Sequence, residues 1–110
     1  KNFEIGRYYW KRDNYEAAEM RFSEAVEYDK TWSEAYKKLI EVYNKLKNYE
    51  SAVEVCRKFT LNNPESSELD YFRKNEAKYQ EKFVKQQAEK PKEAPDKPDD
   101  QASEDSGGKP

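Results

Sequence analysis

The chain has 110 residues, with 21 Lys and Arg against 23 Asp and Glu, no His, a single Cys, and 35% hydrophobic beside 40% charged residues. A mean hydropathy of -1.40 and the lack of any apolar run near about 18 residues exclude a membrane-spanning helix from the sequence. The opening residues do not read as a signal peptide. With no imidazole and only Cys56, the common nitrogen and sulfur metal sites and the His-based triads lack ligands and bases, so the expectation is a non-enzyme with no cofactor and no metal.

Composition divides the chain. All sixteen aromatic residues lie at or before Phe83, and four of the five prolines follow it. Residues 1 to 84 carry 16 basic and 16 acidic groups, against 5 and 7 in residues 85 to 110. The first stretch reads as one small domain. The second, 85–110, rich in Pro, Lys, Asp and Glu, reads as a disordered tail, because it cannot bury enough apolar surface to offset its ordering entropy. The lone thiol gives no disulfide framework, and a chain that opens on Lys1 reads as a trimmed or processed product or as part of something longer.

In chain order, Ile5, Tyr8 and Tyr9 recur at helical spacing and predict a helix near 2–12, closed by the turn formers Asp13 and Asn14. Ala18, Phe22, Ala25 and Val26 predict a second over 15–28; Leu39, Val42, Tyr43 and Leu46 a third over 33–46, ended by Lys47 and Asn48; and a fourth covers 49–61. Cys56 falls in the stripe of Ala52, Val53 and Phe59, where a free Cys is a small buried hydrophobe rather than a nucleophile. After Asn62, Asn63 and Pro64, a fifth helix is expected from Ser66 or Ser67 to about 84, with Leu69, Phe72, Tyr79 and Phe83 as its sparse apolar stripe. The fold class is all-α.

The stripes repeat. A shift of 34 residues carries Tyr9 onto Tyr43, Lys11 onto Lys45, Asn14-Tyr15-Glu16 onto Asn48-Tyr49-Glu50 and Ala18 onto Ala52, the period of a helix-turn-helix array. On these residues, 1 to about 66 resembles the tetratricopeptide repeat family. The first unit, about 1–32, has Ile5-Gly6 for the family's Leu-Gly pair, Tyr9, Tyr15, Ala18, Phe22 and Ala25, with Lys30 in place of the closing Pro. The second, about 33–66, has Tyr36, Leu39, Tyr43, Tyr49, Ala52 and Pro64, but carries Ile40 where Gly is usual, Cys56 at the large aromatic position and Phe59 at the second Ala. Gln86 falls where a third unit would need Ala, so the last helix, about 66–84, reads as a cap on an α-solenoid fragment. A long helix that itself docks a partner is the competing reading.

The resemblance implies that the first helix of each pair lines a concave face. Its candidate partner-binding residues are Phe3, Arg7, Trp10 and Lys11 in the first unit, and Glu34, Lys37, Lys38, Glu41, Asn44 and Lys45 in the second. Basic groups outnumber acidic ones, which suits a protein or peptide with acidic and apolar side chains, and Arg7 and Trp10 are the expected anchors. A solvated helix face is the plain alternative. The carboxylate clamp of some family members is not expected, because its first positions are Phe3 and Arg7. The stretch from Glu4 to Phe22 is also similar to repeats of the tetratricopeptide lipoproteins of bacterial outer-membrane protein assembly. The resulting expectation is a non-enzymatic interaction module or scaffold, or else a small structural subunit of a hetero-complex, cell-envelope or membrane-associated assembly included. A neutral charge balance argues against nucleic acid. The compartment is open between cytoplasm and a peripheral or periplasmic place in a bacterium.

Overall fold

A computed structural model describes residues 1–89 of the protein. The reading of the tail over 90–110 lies outside the described residues. Five helices follow one another: α1 (Asn2–Lys11), α2 (Tyr15–Tyr28), α3 (Ser33–Lys45), α4 (Tyr49–Asn62) and α5 (Leu69–Glu89). Among the described residues there is no strand. Each helix packs on the next, so α1 with α2 and α3 with α4 form two helical hairpins and α5 lies against α4.

The hairpin turns share their main features. Asp13 and Lys47, 34 residues apart, both take the left-handed conformation, with φ of 60° and 58°. The next amide then folds back, Asn14 N onto Tyr9 O at 3.0 Å and Asn48 N onto Tyr43 O at 2.9 Å, which satisfies carbonyls the ending helix leaves open. Asn14 and Asn48 then cap the following helices, their side chains accepting from Ala17 N and Ser51 N, each at 3.3 Å. A short Asp tolerates the left-handed region; a Lys adopts it at a cost of about 1–2 kcal/mol.

The junctions after each hairpin also correspond, Trp32 N reaching Asp29 O and Ser66 N reaching Asn63 O, both at 3.1 Å. There the likeness stops. The last helix was expected from Ser66 or Ser67 but begins at Leu69, because the Ser66 hydroxyl accepts the Glu68 amide at 3.0 Å in a local turn. It was expected to end near 84 with the tail beginning at Lys85, yet it continues to Glu89. Lys85 to Glu89 contain no helix breaker, and Gln86 is held by a 3.0 Å bond from its Nε2 to Lys47 O.

The core runs through the stack. Gly6 is required where α1 crosses α2: a Cβ there would stand 2.6 Å from the Phe22 ring. In the same register, Ile40 and Cys56 replace this pair in the second hairpin, both buried, a small and large exchange that keeps the seam filled. Phe59 stacks on Phe72 with ring centroids 3.8 Å apart and meets the edge of Tyr36 at 5.0 Å. Tyr49 stacks on Tyr79 at 6.1 Å. With Phe72 at the end of α4 and Tyr79 and Gln86 at its start, α5 runs antiparallel along α4 and also touches α3 through Tyr36. The Tyr36 hydroxyl donates to Lys30 O at 2.9 Å, and Asn63 Nδ2 donates to the same carbonyl at 2.8 Å, tying the two junctions together.

Candidate functional site

The two adjacent lysines at the middle of α3 reach in opposite directions. Lys38 Nζ lies 5.6 Å over the Trp10 ring of α1, while Lys37 Nζ lies 4.6 Å over the Tyr71 ring of α5 and pairs with Glu68. Neighbouring positions on a helix differ by 100°, so the pair bridges α3 to both flanking helices. Through these two side chains α3 touches both α1 and α5.

Charge is unevenly spread over the helices. The helices α1, α3 and α5 carry ten Lys and Arg against seven Asp and Glu, while α2 and α4 carry three against six. A chain whose totals nearly cancel therefore has its basic excess in α1, α3 and α5 and its acidic excess in α2 and α4. On α5, Lys74, Lys78, Lys82 and Lys85 recur at spacings of four, four and three, one stripe beside Tyr71.

Among the expected anchors, Arg7 and Lys11 are exposed on α1, Glu34, Glu41 and Lys45 on α3, and Asn44 is half-buried. The structure corrects Phe3. It is a core residue, 9% exposed, with its ring 5.5 Å from Phe22 and 4.7 Å from Trp32. Trp10 is half-buried, edge-on to Tyr15 at 5.4 Å and covered by Lys38, so its ring is a supporting surface rather than a free anchor. Lys38 also pairs with Glu41 at 3.6 Å. The Glu68 carboxyl, held by Lys37 and by the Ser33 hydroxyl at 2.7 Å, sits below the usual carboxylate range, and Lys37 is raised in return.

Sequence reasoning treated the α5 charges as the solvated side of a cap and so missed Tyr71 and the lysine stripe. The spacing of Lys74, Lys78 and Lys82 carried that signal. It also missed a groove of about 590 Å³ lined by Val26 of α2, Tyr36, Leu39 and Tyr43 of α3, and Val55 and Leu61 of α4. Lys58 of α4 pairs with Glu27 of α2 across it, and the Tyr43 hydroxyl donates to Glu19 at 2.7 Å. Burial, then that carboxylate, pushes the Tyr43 phenol far up.

Cys56 is fully buried, and loss of solvation pushes its thiol up to about 12, which removes the thiolate a nucleophile needs. Among the described residues, no group of three or more His, Cys, Asp or Glu converges as a metal site, and no helix is long and apolar enough to cross a membrane. Comparison of the chain with protein-family models, with curated proteins and with solved structures finds no match in any of the three.

Proposed function

We propose that the chain is a tetratricopeptide-type interaction module, non-enzymatic, that holds an acidic segment with interspersed apolar side chains on the face of α1, α3 and α5. The observation that supports this reading is the excess of Lys and Arg in α1, α3 and α5 against the excess of Asp and Glu in α2 and α4. Arg7, Lys11, Lys38 and Lys45 supply long-range attraction, while Trp10 and Tyr71, each beneath a lysine, supply apolar surface next to cations. The recurrence of turn, cap and junction at 34 residues supports the family reading, since neither hairpin buries its apolar side alone.

Selection of segments from a random peptide library by the full chain tests the proposal. Enriched sequences should be acidic with spaced Leu, Phe or Trp, should be lost at high salt, and should be lost in Lys38→Glu, Lys45→Glu. Enrichment that is indifferent to both changes rejects the face. A second reading, a structural subunit of a larger assembly, is favoured by one flank of α1, where Ile5, Tyr8 and Tyr9 stay partly exposed at helical spacing and Tyr8 is 51% exposed with Arg12 3.8 Å over its ring. Sedimentation of the purified chain as a monomer up to high concentration, with no loss on dilution, counts against self-association through that flank.

A further inference from the structure

At the end of the stack, where α5 leaves the fold, a dish of about 500 Å³ is lined by Lys47, Tyr49, Lys82, Lys85, Gln86 and Glu89. Three of the six are lysines. Lys82 Nζ lies 5.5 Å over Tyr49 and 5.9 Å over Tyr79, and neither Lys47 nor Lys82 has a carboxylate partner among the described residues. Lys85 reaches Glu81 only at 3.8 Å, with both side chains largely exposed. The dish is fixed in place by the left-handed turn at Lys47 and by Gln86, which donates to the Lys47 carbonyl. Its positive charge is therefore built into the junction of α5 with the second hairpin, and cations stacked on aromatic rings stay attractive to an anion.

The chain that follows has matching chemistry. Every acidic residue after Glu89 lies within 93–105, namely Glu93, Asp96, Asp99, Asp100, Glu104 and Asp105; Lys97 is the one basic residue of that stretch, with Lys90 and Lys92 before it and Lys109 after. Asp96 is seven residues beyond Glu89, and at about 3.5 Å per residue that chain reaches roughly 25 Å, enough to turn back over the last two turns of α5. Attachment also lifts the local concentration of the segment to the order of millimolar, so weak pairing suffices. We propose that the acidic segment 93–105 docks in cis on the Lys47, Lys82 and Lys85 dish and extends along the stripe toward Lys78. This rests on α5 and its junction and stands apart from the peptide-binding reading. Where both hold, the segment competes with acidic partners for the α5 end of the basic face.

The test uses the full chain. Ser103→Cys accepts a nitroxide label selectively, because Cys56 is fully buried and its thiol is raised to about 12. Amide spectra of the labelled, isotope-enriched protein at about 20 mM salt should lose intensity at Lys47, Tyr49, Lys78 and Lys82, and the loss should vanish at about 0.5 M, where the screening length is roughly 4 Å. It should also vanish when Asp99, Asp100, Glu104 and Asp105 are changed to Asn or Gln. Broadening confined to the last turn of α5, or unchanged by salt, overturns the proposal. So does broadening centred on α1 and α3, or broadening that appears only when labelled and enriched chains are mixed, which assigns the segment to another surface or to a second copy.

Discussion

The two hairpins share a turn and differ in what they press against. Around Asp13 and Lys47 the dihedrals, returning amides and Asn caps coincide, because those features depend on a few consecutive residues. The seams differ. Gly6 lets α1 sink onto Phe22, whereas the second hairpin places Ile40 at the small position and Cys56 at the large one. The first hairpin also leaves a flank of α1 uncovered, while α5 closes the second with Phe72 and Tyr79. A local repeat thus copies its turns faithfully and lets its packing follow position in the stack.

The largest effect that separates the hairpins is expected from Phe22→Ala, which empties the seam beside Gly6 and should cost about 3–5 kcal/mol in a denaturant titration. Cys56→Ala at the matching position removes only a sulfur and should cost clearly less. Equal losses would contradict the size exchange. Next, Gly6→Ala drives a Cβ into the Phe22 ring and should cost about 1–3 kcal/mol, although Ala is the better helix former. A neutral or stabilising Gly6→Ala would mean that α1 is not held that close.

The shared features should respond alike. Asn14→Ala and Asn48→Ala should each lose about 1 kcal/mol, read from the same titration, since each removes one cap bond of 3.3 Å. Lys47→Gly should gain up to about 1 kcal/mol and Asp13→Gly less, because Asp already tolerates a positive φ.

The smallest effect concerns pH. Hydrogen bonds from Lys58 and from Lys37 hold the Glu27 and Glu68 carboxyls below their ordinary values. A depressed folded value means that stabilisation is present above the unfolded value of about 4.3 and is lost as pH falls through the lower folded values. Both pairs are well exposed, so the contribution is a few tenths of a kcal/mol each. The drop in midpoint between about pH 6 and pH 3 should shrink in Glu27→Gln, Glu68→Gln. An unchanged drop would leave both ion pairs without weight in stability.

The sequence displayed the helices and the hairpin register because apolar residues at a period of 3.6 and turn formers at a period of 34 are both local signals. Helix ends agreed to within a residue where an Asn cap or a left-handed turn fixed them. They drifted at α5, whose start depends on Ser66 bonding its own neighbour and whose end depends on a distant carbonyl at Lys47. The candidate site was less legible. Arg7, Lys11 and Lys45 came from the family resemblance and are exposed on their helices, while the burial of Phe3 comes from Trp32, far away in sequence. Tyr71 was missed because its partner Lys37 belongs to another helix.

The proposed use of α1, α3 and α5 as a basic binding face is tested most directly by mapping an acidic peptide with Leu or Trp onto the isotope-enriched chain by amide shift changes. The expected result is saturable shifts at Arg7, Lys11, Lys38, Lys45 and Tyr71 that weaken with salt, with α2 and α4 silent. Shifts centred on Val26, Val55 and Leu61 in the groove they line, or none at all with a spectrum of folded protein, would contradict it.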